Sequence, residues 1–305
     1  MVETSDEWIR ERTGIGERHV SVGETVVALA SEAARKALEQ AGKRAEEIDL
    51  ILVATCSPEQ YLPCCACQVQ ADIGAVNALA FDVNAACSGF LFALNTADAY
   101  LRMGLAENAL IIGSEVLSKL VDWTDRGSCI LFGDGAGAVV VERCKAESRA
   151  VECGNDLAET EKGMQETAEE KRIPAAGILG RALHSDGTGG GVLQCGAREL
   201  TTPYVGTSAA KTDQNQPTND REHYIQMDGQ EVYRFATRRV PQCIEEALSD
   251  AGLAVPDIDL FVLHQANARI IDAVAKRLHA DRDKFPTNLE RVGNLSSASI
   301  PVLLD

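Results

Sequence analysis

Apolar and polar positions along the chain switch between two periods, and each switch marks an element. Ser5, Asp6 and Glu7 open a short helix through Arg12 that stops at Thr13-Gly14. Glu24 to Ala41 carries an Ala-rich amphipathic pattern closed by Gly42, which predicts a long helix. Leu50-Ile51-Leu52-Val53-Ala54 is a short unbroken apolar run and reads as a buried strand. A helix is predicted over Ala66–Ile73, and Ala78–Val83 is again apolar. Behind it Leu91, Leu94, Ala97 and Leu101 recur at helical spacing. Ala109–Gly113 and Cys129–Phe132 read as strands, and so does the β-branched run Val139-Val140-Val141. Gly133–Ala138 then reads as a glycine-rich turn or bulge inside a hairpin. Further on, a strand is expected at Ile178–Leu183, a polar loop over Thr201–His223, and a long helix from Asp228 to Ser249, interrupted near Pro241.

Strands that alternate with helices indicate an α/β protein, and an internal repeat indicates two related halves. Ala37-Leu38-Glu39-Gln40-Ala41-Gly42 and Ile48-Asp49-Leu50 return, without a gap, 210 positions later as Ala247-Leu248-Ser249-Asp250-Ala251-Gly252 and Ile258-Asp259-Leu260. In the second copy, the expected strand Leu260–Leu263 runs into His264-Gln265-Ala266-Asn267. That places His264 at the carboxyl end of a strand, where open α/β sheets bind their ligands.

The chemistry converges on Asn84-Ala85-Ala86-Cys87-Ser88-Gly89-Phe90. Small residues permit a tight strand-to-helix turn with Cys87 at its apex, and the N–H groups of a helix N-terminus favour a thiolate. At the repeat offset this motif meets Gly293-Asn294-Leu295-Ser296-Ser297-Ala298-Ser299, a second turn of small residues. Two halves packed about a pseudo-twofold axis would therefore bring Cys87, His264 and Asn294 together. Other motifs are weaker. Cys64-Cys65-Ala66-Cys67 has no second ligand pair at zinc spacing, so no metal is expected. Gly133–Ala138 precedes a strand, whereas a phosphate cradle needs a helix. His184-Ser185-Asp186-Gly187 is a turn, because adjacent residues rarely assemble a triad.

Composition narrows the class. The 305 residues are 45% hydrophobic, enough to bury a large core, and no apolar run is long enough to span a membrane. Ten scattered cysteines and an N-terminus without the basic and apolar regions of a signal peptide point to a reducing cytoplasm. A net charge of −17 argues against nucleic acid or an anionic membrane as partner. Against that acidity, Arg234, Arg238, Arg239, Arg269, Lys276 and Arg277 form a basic cluster on two helices flanking the His264 loop.

The motifs together resemble the β-ketoacyl-acyl-carrier-protein synthase III family, the initiating condensing enzymes of bacterial fatty acid synthesis. They are Thr4–Ile9, Arg12–Ile15, Ala85–Phe90, Asp125–Gly127, Phe132–Gly137, His184–Gly187, His264–Asn267 and Gly293-Asn294, in order over nearly the whole chain. The resemblance implies a thiolase-like fold, with two duplicated α/β halves packed as an α-β-α-β-α layered sandwich. Residues 1–143 would form the nucleophile half and 173–305 the half carrying histidine and asparagine, with 144–172 a charged surface insertion. It further implies that Cys87 accepts an acyl group, acetyl above all, from acyl-CoA. That group then condenses with malonyl-carrier protein, and carbon dioxide is lost. His264 and Asn294 would hydrogen-bond the malonyl thioester oxygen. Coenzyme A, as part of the substrate and not a permanent cofactor, would lie along Thr4, Trp8, Arg12, Arg126, Gly229 and Asn267, its adenine between Trp8 and Arg126. The acidic carrier protein would dock on the basic cluster, the enzyme would be a homodimer, and a residue near Leu62 would reach the partner's acyl pocket.

Two departures stand out. The charged stretch Glu142–Arg172 is longer than the family needs. By the repeat, the Ile178–Leu183 strand expects a counterpart before Met1, and the strands after Cys87 expect counterparts beyond Asp305. The chain therefore reads as truncated at both ends and nearly inactive. A thiolase-fold secondary-metabolite synthase, or an inactive module binding acyl-CoA or carrier protein, are the competing readings.

Overall fold

The computed structural model describes residues 2–144, 177–196 and 223–305. Helix α1 (Asp6–Thr13) starts where the Ser5 hydroxyl accepts the Trp8 N–H, and ends at Gly14 in the left-handed conformation. Helix α2 (Val26–Ala41) is capped by Thr25 and closed by Gly42 in the same way. Strand β1 (Leu50–Ala54), helix α3 (Cys65–Ile73), strand β2 (Leu79–Val83), helix α4 (Gly89–Arg102), strand β3 (Asn108–Val116), the short helix α5 (Arg126–Cys129) and strand β4 (Asp134–Glu142) complete the first half. The second half holds strands β5 (Leu193–Gln194) and β6 (Gln226–Met227), then helices α6 (Gly229–Ala251), α7 (Ala268–Arg277), α8 (Leu289–Val292) and α9 (Ser299–Leu304).

The main sheet has the order β2-β1-β3-β4, with β1 parallel to both neighbours and β4 antiparallel to β3. Alternation sorts the side chains. Ile51, Val53, Leu110 and Ile112 pack on α2 and α3, while Leu50, Leu52, Ala54, Ala109 and Ile111 pack on α4 through Phe90, Ala93, Ala97 and Leu101. Both faces are covered, which is why β1 reads as an unbroken apolar run. Ile300 of α9 and Val262 join the α4 side, so the second half closes that layer. Its own core stacks Phe261 on Phe285 at 4.7 Å and adds Ile271, Val274, Leu278 and Leu289 with Ile15. No helix of the described residues is long and apolar enough to cross a membrane.

The duplication is visible in backbone geometry. Gly42 and Gly252 cap their helices at φ 62° and 69°. In the turns that follow, the Arg44 N–H donates to Glu47 at 2.9 Å and the Ala254 N–H to Asp257 at 2.8 Å. Ala86 and Ser296, equivalent in the repeat, are left-handed at φ 45° and 49°.

Several expectations are corrected. Gly133–Ala138 is not a turn within the hairpin. From Asp134 on it lies in β4, with Gly135 opposite Glu115 and Gly137 opposite Gly113. The glycines admit the second half instead: a Cβ on Gly137 would stand 2.7 Å from the Val302 nitrogen, and one on Gly113 2.4 Å from the Ser297 oxygen. Cys129–Phe132 is not a strand. Asp125 caps a helical turn there, and only Phe132 bridges to Asn294. Leu260–Leu263 and Ile178–Leu183 form no ladder with any described residue. The Phe261 N–H goes to Lys284 O, and the Arg181 N–H to the Asp250 carboxylate. Helix α6 runs through Pro241 without interruption. The bulk of the Glu142–Arg172 stretch and of the Thr201–His223 loop lies outside the described residues.

Gly113→Ala tests the seam between the halves. The added methyl meets backbone rather than a yielding side chain, so a loss of about 1–3 kcal/mol is expected. Thermal unfolding followed by circular dichroism reads it; an unchanged midpoint would show that the Ser297 turn simply moves aside.

Candidate active site

The site forms where the two equivalent turns meet. Strand β2 delivers the chain to Asn84, Ala86 takes the left-handed conformation, and a 3-10 turn over Ala86–Ser88 leads into α4. Left-handed backbone at a non-glycine costs about 1–3 kcal/mol and persists only where its surroundings hold it. Gly89 supplies the closeness: a Cβ there would be 3.1 Å from the Ala54 Cβ and 3.5 Å from the Ser297 Cβ.

Cys87 is half-buried at this apex. Burial is the largest influence on its thiol and pushes the pKa up. The charge and hydrogen bond of His264, with a hydrogen bond from Ser296, outweigh burial and hold the thiol below its ordinary value. A charge on the neighbouring carboxyl of Glu115 would oppose them. Beside the expected position at a helix start, a histidine and a serine from the other half act on this thiol. The Nδ1 of His264 is buried without a partner among the described residues, leaving Nε2 to face the thiol. Gln265 braces the His264 loop, donating to Leu263 O at 2.9 Å and accepting the Asn288 N–H at 3.3 Å.

Asn294 stands one link further away. Its N–H goes to Leu131 O, its carbonyl accepts the Gly133 N–H, and its side-chain oxygen accepts the Ser296 N–H at 2.9 Å. With that oxygen occupied, the amide NH2 is the end left to donate outward. Cys87, His264 and Asn294 are therefore gathered, with Ser296 between Cys87 and Asn294.

Sequence reasoning missed Ser296 and Glu115. Ser296 was detectable as the repeat partner of Ala86. Glu115 was detectable as a lone acid in an apolar strand; it is fully buried and bonded to Thr55, Cys56, Ser57 and Ser297. Cys64, Cys65 and Cys67 open α3, whose first N–H groups at Cys65 and Ala66 go to the Asp82 carboxylate at 2.9 and 2.7 Å. Burial and that acid push the Cys65 thiol up to about 12. Among the described residues no cluster of three or more histidine, cysteine or acidic side chains could hold a metal. Asp186 binds the Thr188 N–H and hydroxyl, and His184 pairs with Glu246, so these residues form a turn and a surface pair.

Of the residues expected to hold coenzyme A, Trp8, Arg12 and Arg126 cluster: the Arg126 guanidinium is 4.8 Å and the Arg12 guanidinium 6.0 Å from the indole centre. Arg126 rests directly on Trp8, so an adenine would have to part them. Asn267 donates to Arg12 O at 3.2 Å while capping α7, which ties this corner to the His264 loop. Thr4 is exposed, and Gly229 is the first residue of α6. Arg234, Arg238, Arg239, Arg269, Lys276 and Arg277 are all exposed on α6 and α7; Arg234 pairs with Glu231, and Arg269 lies 5.8 Å over Tyr233.

Two duplicated α/β halves whose turns meet at a cysteine of lowered pKa define a thiolase-like fold of the acyl-transferring, condensing class. Residues 81–156 match the family model of 3-oxoacyl-[acyl-carrier-protein (ACP)] synthase III, and residues 248–305 match that of its C-terminal part. The chain belongs to the β-ketoacyl-[acyl-carrier-protein] synthase III family, the condensing enzymes that initiate fatty acid synthesis. It is 43% identical to the synthase III of Clostridium acetobutylicum over 305 residues, all of this chain and 82% of that one. It is 45% identical to that of Synechococcus sp. over 305 residues, 80% of the relative's length. Among solved structures, 3-oxoacyl-[acyl-carrier-protein] synthase III from Aquifex aeolicus superposes with a TM-score of 0.80 at 38% identity, covering 99% of this chain and 82% of that one. The priming β-ketosynthase of the R1128 polyketide pathway gives 0.78 at 33% identity, covering 100% and 79%.

Proposed function

We propose that Cys87 is the nucleophile of a two-stage acyl transfer, and that His264 and Asn294 serve its second stage. The carrying observation is the Cys87 thiol held low by His264 and Ser296 at the junction of the two turns. In the first stage the Cys87 thiolate attacks the carbonyl carbon of a short acyl-CoA, acetyl-CoA above all. The tetrahedral oxyanion collapses, coenzyme A leaves as its thiolate, and a thioester on Cys87 remains. In the second stage a malonyl thioester on the carrier protein loses its carboxylate as carbon dioxide. The electron pair moves onto its α-carbon and thioester oxygen, where N–H donors from His264 and Asn294 stabilise the enolate. That carbon attacks the acyl group, Cys87 leaves as thiolate, and 3-oxoacyl-carrier protein is released. Trp8, Arg12 and Arg126, with Thr4, Gly229 and Asn267, are the proposed coenzyme A contacts. The reaction needs no permanent cofactor and takes place in the cytoplasm.

Mass spectrometry of the protein incubated with acetyl-CoA tests the first stage. An acetyl adduct on the Cys87 peptide, discharged by malonyl-carrier protein with release of carbon dioxide, supports the reading. Binding of acetyl-CoA with no adduct would leave only a binding module. The likeness to a priming β-ketosynthase of polyketide synthesis favours one variant, the same chemistry with a different starter, and a panel of acyl-CoAs separates the two. A homodimer is supported by Tyr61 and Leu62, 75% and 85% exposed on the loop that precedes α3.

Carrier-protein docking is proposed for the basic face of α6 and α7. Arg234→Glu with Arg269→Glu is expected to raise the KM for malonyl-carrier protein about tenfold at low salt and to leave acetylation of Cys87 intact. The gap should close as salt shortens the Debye length below about 8 Å. Normal use of malonyl-carrier protein by the double variant at low salt would reduce the cluster to a solvated surface.

A further inference from the structure

The fully buried carboxyl of Glu115 lies beneath Cys87 where both turns touch β3, and the hydrogens around it can be counted. Its Oε2 is 3.2 Å from the Thr55 hydroxyl, 2.5 Å from the Ser57 hydroxyl and 3.1 Å from the Cys56 N–H. Its Oε1 is 3.2 Å from the same N–H and 2.9 Å from the Ser297 hydroxyl oxygen. The Cys56 Sγ is 3.5 Å from both oxygens. Thr55 Oγ1 already accepts the Ser57 N–H, and Ser57 Oγ accepts the Val116 N–H, so each of these hydroxyls has its one hydrogen for Oε2.

Ser297 is different. Its oxygen is 2.8 Å from the carbonyl oxygen of Ala54, which can only accept, and 2.9 Å from Glu115 Oε1. A hydroxyl has one hydrogen for these two contacts. Given to Ala54, it leaves Ser297 and Glu115 as two oxygens at hydrogen-bond distance that need a hydrogen from the acid. Given to Glu115, it leaves Ser297 and Ala54 as two acceptors in contact with nothing between them. Only the first count satisfies every pair.

We propose that Glu115 is a neutral carboxylic acid whose proton donates to Ser297, making it a positioning residue that pins the second turn under Cys87. The chain of bonds runs from Glu115 through Ser297 to Ala54 at the end of β1, and Ser297 adjoins Ser296, whose hydroxyl reaches the Cys87 thiol. Neutrality matters because the groups facing this acid are the Cys56 and Cys87 thiols, with His264 beyond. An ionised carboxylate there would oppose the Cys87 thiolate. Burial, the largest influence on Glu115, raises its pKa in the same direction.

The inference rests on the reading of Cys87 as the nucleophile. Alkylation by iodoacetamide, followed on the Cys87 peptide at a series of pH values, reports the thiolate whether or not acyl transfer occurs, so the two can fail separately. In Glu115→Gln the amide oxygen can take the Thr55, Ser57 and Cys56 donors while its NH2 serves Ser297. The apparent pKa of Cys87 is therefore expected to stay within about 0.3 units of the parent, since no charge is removed. Glu115→Ala is expected to lose at least tenfold more condensation activity than Glu115→Gln. A fall of one unit or more in the Cys87 pKa of Glu115→Gln would show that the parent acid is ionised and would overturn the proposal. Infrared spectroscopy of the unaltered protein needs no folded Glu115 variant. A protonated-carboxyl carbonyl band at neutral pH that moves in Ser297→Ala is the expected result, and its absence refutes the proposal.

Discussion

Cys87→Ser is expected to lose acyl transfer by about 10⁴-fold or more, the scale on which removing a nucleophile disables residues that act as a unit. Serine preserves the shape of the Ala86–Ser88 turn, so the loss would be chemical and the thermal midpoint should hardly move. His264 and Ser296 can lower a thiol whose ordinary value, about 8.5, already lies within reach of neutral pH. They cannot do the same for an alcohol. Cys87→Ala should give no covalent adduct with acetyl-CoA at all. Mass spectrometry of both variants, beside stopped assays of coenzyme A release, makes the comparison. Coenzyme A release by Cys87→Ala at the parent rate would remove Cys87 from the mechanism and move the search to another nucleophile.

Replacing His264 should separate the two stages by their pH dependence. Burial drives the Cys87 pKa upward, and His264 is the leading influence that brings it below its ordinary value. In His264→Ala the pKa therefore rises, the thiolate fraction at neutral pH falls, and the acylation profile moves to higher pH. Raising the pH should restore most of the acylation rate. Condensation should not recover, because a donor to the enolate oxygen is gone at every pH; a loss of about 10²–10³ is expected from one such donor. Asn294→Ala should show the second loss without the first, since Asn294 reaches Cys87 only through Ser296. Full recovery of condensation by His264→Ala at high pH would reduce that histidine to an activator of the thiol.

Much of this was legible along the chain because it rests on local rules. Thr25 and Gly42 bound α2, Ser5 and Gly14 bound α1, and β1 announces itself as an apolar run because both its faces are covered. The 210-residue repeat carried further than any single motif. It equates the Cys87 turn with the Ser296 turn from the sequence alone, and the matching left-handed angles at Ala86 and Ser296 are the physical content of that equation.

Where the sequence reading failed, the deciding partner was distant. Gly133–Ala138 has the composition of a turn, yet from Asp134 on it is strand because β3 supplies the ladder and the second half needs the space that side chains would fill. Leu260–Leu263 has the composition of a strand, yet a strand exists only through a neighbour's N–H and C=O groups. Cys87 at a helix N-terminus was visible locally; that His264 and Ser296 from the other half also hold its thiol low was not. Glu115 shows the division most sharply. Its sequence position identifies only an acid in an apolar strand, whereas its burial beside Ser297, 182 positions away, decides the hydrogen count around it. The order of residues determined the elements, their caps and the duplication, which depend on neighbours a few positions apart. The tertiary structure alone decided the electrostatics of the site, because burial and charge act through space between residues that the chain keeps far apart.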